Sequence, residues 1–70
     1  NGRTDAVIKT ESTIYIFEFK LKENAEAAIK QIKEKNYAEK YRAENKKIML
    51  IGVSFDPEEK TVGEWIIEEV

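Results

Sequence analysis

Apolar and polar positions change period twice along the chain, and each change marks an element. Residues 6–9 (Ala-Val-Ile-Lys) form a short β-prone run, and Thr10-Glu11-Ser12-Thr13 is polar and turn-like. Residues 14–21 (Ile-Tyr-Ile-Phe-Glu-Phe-Lys-Leu) are rich in β-branched and aromatic side chains, the signature of a strand. Two such runs joined by four polar residues predict an antiparallel hairpin. The period then lengthens: Ala25, Ala28, Ile29 and Ile32 recur at helical spacing behind Asn24, a good N-cap, with Glu26 in the first turn. The spacing predicts a helix over 25–41 and a basic connection over 42–47. Residues 48–55 are almost continuously apolar, the pattern of a strand buried on both faces. Asp56-Pro57-Glu58-Glu59-Lys60 reads as a turn, and residues 61–68 as a last strand at a sheet edge, with Trp65, Ile66 and Ile67 expected to pack.

The order is therefore β-β-α-β-β. A strand-helix-strand unit crosses over with a right hand, so the second and third strands should be parallel. The expected fold is α/β in the sense of an α+β mixed sheet, with one helix on one face. A chain of 70 residues holds a single domain. Beginning at Asn1 without a methionine, it reads as a piece of a longer protein. Its longest apolar run, Ile48 to Val53, is far short of the ~20 residues of a membrane span. No signal peptide is visible either, so a cytoplasmic location is expected.

Composition narrows the chemistry. The chain has no histidine and no cysteine, which removes imidazole and thiolate catalysis and soft-ligand metal sites. Carboxylates, lysines and hydroxyls remain, and any metal would be a hard cation held by oxygen.

One constellation fits that restriction. Along the second strand Ile14, Ile16, Glu18 and Lys20 share a face. Closing the hairpin over residues 10–13 pairs Lys9 with Ile14 and Val7 with Ile16, and sets Asp5 opposite Glu18. Directly opposed β-carbons lie ~4.5–5.5 Å apart, where two carboxylates repel unless a cation lies between them. Asp5 and Glu18 are thus candidate ligands for Mg²⁺ or Mn²⁺, with Lys20 one pleat further along. The same pattern also admits Glu18 paired with Lys20 or with a helix lysine on a solvated face, and a one-residue slip would put Asp5 on the wrong face.

Gly2-Arg3-Thr4-Asp5, Ile16-Phe17-Glu18-Phe19-Lys20, the helix with Gln31 and Tyr37-Ala38, and the closing Gly63-Glu64-Trp65-Ile66 occur in the order found in the PD-(D/E)XK nuclease superfamily. The chain resembles in particular the C-terminal nuclease-like domain of bacterial proteins that begin with an AAA-type ATPase-like domain. The resemblance implies a restriction-endonuclease-like core lacking its first helix and strand, and Mg²⁺-dependent cleavage of nucleic acid, DNA in the first place. It assigns Asp5 and Glu18 to the metal and Lys20 to catalysis. Thr4 stands where the superfamily's name has proline.

Other positions carry weaker signals. At ~100° per residue, Gln31 falls on the rim of the helix's apolar stripe, where it could touch the site or simply face water. Related nucleases carry a glutamine–tyrosine motif in such a helix; here Gln31 and Tyr37 stand six apart, and Tyr37 and Tyr41 are expected to cover the core. From Lys30 to Lys47 seven basic residues face three acids, a stretch that could follow a phosphate backbone or be a solvated face. A second functional class stays open: an inactive nuclease-like domain that binds nucleic acid or docks on an ATPase domain. A homodimer formed through an exposed edge or bare face is a third.

Overall fold

The computed structural model describes residues 6–70. The chain runs β1 (Ala6–Lys9), β2 (Thr13–Leu21), α1 (Ala25–Lys35), a 3₁₀ helix (Tyr37–Glu44), β3 (Lys47–Asp56) and β4 (Thr61–Glu69). The four strands form one mixed sheet in the order β1-β2-β3-β4. β1–β2 and β3–β4 are antiparallel, and the crossover through α1 makes β2 and β3 parallel, as expected. Lys9 faces Ile14 and Val7 faces Ile16, the register that a four-residue loop predicts. Thr10 closes that loop: its N–H donates to the Thr13 carbonyl at 2.8 Å, and its Oγ1 accepts from the Thr13 N–H at 3.0 Å. The mixed α+β architecture is compatible with a restriction-endonuclease-like core. No helix among the described residues is long and apolar enough to cross a membrane.

The continuous helix expected over 25–41 is two helices. Asn24 caps α1 as anticipated, its Oδ1 accepting from the Ala27 N–H at 2.8 Å. The helix then stops at Lys35, because Asn36 takes a left-handed conformation (φ 58°, ψ 37°) and turns its N–H back to the Ile32 and Lys33 carbonyls. Asparagine is among the few non-glycine residues that tolerate this region. The chain resumes as a 3₁₀ helix that ends at Asn45, also left-handed (φ 60°). The break re-aims the chain so that Ala38 is buried while Tyr37 and Tyr41 lie against the core. The expected connection over 42–47 is correspondingly shorter, since Glu44 still belongs to the 3₁₀ helix and Lys47 to β3.

Both helices lie on one face of the sheet. The core there joins Ile14 and Ile16 of β2, Ile29 and Ile32 of α1, Ala38, and Ile48 and Leu50 of β3, with Val7 and Ile66 at its margins. The opposite face carries Ile8, Phe17, Phe19, Leu21, Ile51, Val53, Phe55, Val62, Trp65 and Ile67, and no helix of the described residues packs on it. Phe17 and Phe19 stack with centroids 6.1 Å apart. Ile51 and Val53 are buried, flanked in the register by Phe17 and Phe19 of β2 and by Ile67 and Trp65 of β4. Of the three residues expected to pack, Ile66 does, whereas Trp65 (62% exposed) and Ile67 stand on this open face. Alternation along β4 sends them to the side without a second layer.

Candidate functional site

β2 carries its apolar residues into the core and then, without leaving that face, presents Glu18 and Lys20. Glu18 is only 4% exposed. A carboxylate taken that far from water must be hydrogen-bonded or paired. α1 supplies the partner: the Gln31 side-chain Nε2–H donates to Glu18 Oε2 at 2.9 Å. The Lys20 ammonium donates in turn to the Gln31 Oε1. One amide thus satisfies an acid with its donor end and a base with its acceptor end, and Glu18 and Lys20 are joined through Gln31.

This arrangement bears on the solvated-face alternative left open by the sequence. Of the helix lysines, Lys30 lies 3.9 Å from Glu34, and Lys33 pairs with Glu68. Glu18 and Lys20 belong to a part-buried cluster rather than a solvated face. Gln31, placed by helical phase on the rim of the apolar stripe, is its central link. Tyr37 lies against the core instead. Asp5 lies outside the described residues, although β1 holds the register from which its position opposite Glu18 was expected.

The donor chemistry suits a hard cation, since Glu18 offers carboxylate oxygen and the chain has no imidazole or thiolate. Among the described residues, no group of three or more acidic side chains converges as a metal site. Glu18 is the one buried carboxylate they supply.

The sheet register adds neighbours whose place beside the cluster the sequence did not indicate. Glu18 lies in a row with Gly52 and Ile66, and Lys20 with Ser54 and Glu64. Glu64 reaches from β4 to α1, where its Oε1 accepts from the Ala25 N–H at 3.0 Å. Ser54 and Glu64 also line a cleft of about 510 Å³ at the C-terminal ends of β2 and β3, together with Lys22, Asn24 and Asp56. Its charged lining is four carboxylates (Glu23, Asp56, Glu58, Glu64) against Lys22, a balance that disfavours a bare phosphate. The basic residues between 30 and 47 are largely engaged elsewhere: Arg42 with Glu39 at 2.9 Å, and Lys46 with the Thr10 carbonyl at 2.8 Å. Lys47 pairs with Thr13 at the start of β2, seven residues or about 23 Å of strand from Lys20.

Residues 1–65 match the family model of the PD-(D/E)XK nuclease superfamily. The chain is also 38% identical over 72 residues to an uncharacterized protein in the vnfD 5′ region of Azotobacter chroococcum mcd 1. That alignment takes in all of this chain but 14% of the relative, so the chain spans about one-seventh of its length. No solved structure matches the chain. The matched segment includes both strands of the first hairpin, the helix with Gln31 and most of the β3–β4 hairpin, the parts that carry the Glu18–Gln31–Lys20 cluster. By this match the chain belongs to the PD-(D/E)XK nuclease superfamily.

Proposed function

We propose that this domain is a divalent-metal-dependent nuclease that hydrolyses phosphodiester bonds in DNA. The observation that carries the reading is the linked cluster itself: a buried Glu18 and a half-buried Lys20, joined through Gln31 on the helix-covered face of the sheet. Glu18, with Asp5, supplies the hard oxygen donors for Mg²⁺ or Mn²⁺. When bound, such a cation lowers the pKa of a coordinated water and stabilises charge on the phosphate. Lys20 orients the attacking water or offsets negative charge that builds on the phosphoryl oxygens. Gln31 holds the carboxylate and the ammonium apart by the width of one amide and fixes both against a rigid helix. Burial of Glu18 keeps the carboxylate pre-oriented instead of rotating in solvent.

Nicking of supercoiled plasmid in the presence of Mg²⁺ or Mn²⁺ tests the reading. Lys20→Ala and Glu18→Gln are expected to lower the rate by about 100-fold or more, and Asp5→Ala to do the same. Metal titration by calorimetry should lose its heat in Glu18→Gln and keep it in Lys20→Ala. Nicking that is unchanged in both β2 variants overturns the assignment.

A further inference from the structure

Glu18 and Lys20 come from β2 and Gln31 from α1, so the cluster is only as well defined as the seat of α1 on the sheet. Two contacts at the start of that helix set the seat. Gly52 of β3 lies next to Glu18 in the parallel register and directly beneath α1. A Cβ at this position would stand 2.6 Å from the Ala25 carbonyl oxygen, 2.9 Å from Ile29 Cγ1 and 3.0 Å from Ala28 Cβ. The first of these is backbone and the last a Cβ, so neither can swing aside, and any side chain at position 52 must push the helix outward. Ala25 and Ala28 are themselves fully buried, which shows how closely the helix approaches here. The second contact comes from β4, where Glu64 takes the Ala25 N–H. The first residue of α1 is therefore seated through its carbonyl side on β3 and latched through its N–H to β4.

Gln31 follows Ala25 by six residues, about 9 Å along the axis. The helix between them is continuous and carries buried Ile29, so displacement at Ala25 is passed to Gln31 with little loss. We infer that Gly52 and Glu64 are positioning residues for the cluster. Gly52 sets the height of α1 over the sheet and Glu64 its slide along β3, and together they bring one amide within reach of both Glu18 and Lys20. The consequence for cleavage rests on the proposed function; the positioning itself does not.

The test reads the Gln31 side-chain amide directly, by nuclear magnetic resonance of the ¹⁵N-labelled protein without metal or DNA. Gly52→Ala should move that resonance toward the position it takes in Glu18→Ala, and speed its exchange with water about tenfold, as expected for loss of one hydrogen bond to a charged group. Glu64→Ala should do the same to a smaller degree, while Glu64→Gln, which keeps an acceptor oxygen, should restore the parent signal. Ile32→Val, which loosens the buried far half of the same helix, should lower thermal stability and leave the Gln31 signal in place. If Gly52→Ala does not fold, the Glu64→Ala and Glu64→Gln pair carries the test alone. An unchanged Gln31 signal in Glu64→Ala, or an equal change in Ile32→Val, overturns the inference. A Gln31 signal that responds as expected while nicking stays constant in every variant supports the positioning and overturns the role of the cluster in cleavage.

Discussion

The two faces of the sheet are opposite in character, and in the opposite sense to the usual rule. The face under the helices is closed over and yet contains a carboxylate and an ammonium. Among the described residues, the other face carries apolar side chains on all four strands and no helix packs on it, with Phe19 46% and Trp65 62% exposed. Buried charge and exposed apolar surface are the two informative departures in a folded chain. Here they fall on the same strand: Phe17 and Phe19 alternate with Ile16, Glu18 and Lys20. What separates the faces is the second layer rather than residue polarity. Where a helix lies, it supplies the amide that makes a charged pair tolerable; where none lies, even aromatic residues stay in water. Natural sequences break local rules at functional sites, and the charged break is on the face with the means to hold it.

Core truncations should separate the faces most strongly. Ile16→Ala removes a side chain with no exposure from the helix face and should cost about 3–4 kcal/mol in urea denaturation. For a domain of this size that is most of the available stability. Phe19→Ala, on the open face, should cost under about 1 kcal/mol although it removes more atoms. If Phe19→Ala proved the costlier change, the contrast between the faces would be lost.

Next comes the buried carboxylate. Glu18→Gln keeps the shape but removes the charge, and should leave stability unchanged or raise it by up to about 1 kcal/mol while metal binding disappears. A loss above about 2 kcal/mol would make Glu18 a structural keystone instead.

The open face can be read optically. Trp65 is the sole tryptophan, so its emission should lie near that of free indole and be readily quenched by acrylamide. Binding of a hydrophobic dye should fall by roughly half or more in a Phe19→Ser, Trp65→Ser double variant. Emission of a buried indole would show that this face is covered in solution.

The smallest effect belongs to the contact that ties β1 to the 3₁₀ helix. Lys9 Nζ lies 2.8 Å from Glu44 Oε2 and 5.2 Å from the Tyr41 ring centre. Its hydrogen bond with Glu44 raises Lys9 above its ordinary 10.5 and holds Glu44 below its ordinary 4.5. Glu44, being depressed in the fold, adds stability above its unfolded value that is lost as pH falls through the folded one. Lys9, being raised, adds stability below 10.5 that is lost as pH climbs past the folded value. The urea midpoint should therefore slip slightly below pH 4.5 and again above 10.5. Lys9→Met should remove Glu44's and Lys9's own share of both slopes, and salt should weaken the contact because both groups are exposed.

Sequence patterning reached the strands, the hairpin register and the facing of Glu18 and Lys20, because period-two alternation and a four-residue loop determine each of them locally; the parallel crossover followed from the strand-helix-strand order. It reached Gln31 only as a rim position, since helical phase gives a direction but not the length of reach. The end of α1 was missed because it depends on one asparagine taking a left-handed turn, favoured by the packing of Ala38, Tyr37 and Tyr41 on a core assembled from distant strands. Trp65 was misplaced because an apolar residue on an edge strand carries no mark of which face has a second layer. Glu64 was legible only as part of the closing Gly63-Glu64-Trp65-Ile66 segment; its contact was not, because its partner, Ala25, is 39 residues away.

The left-handed turn at Asn36 also makes the two helices independent in phase. A residue inserted between Ala25 and Gln31 would rotate Gln31 by about 100° and carry it off the site. A residue inserted just after Asn36 would alter where the 3₁₀ helix begins and leave Gln31 where it stands. The joint therefore divides the crossover into a segment whose length is fixed by the site and one that can vary in length. Length differences among homologues of this domain should concentrate after Asn36 and be absent from the eleven residues of α1.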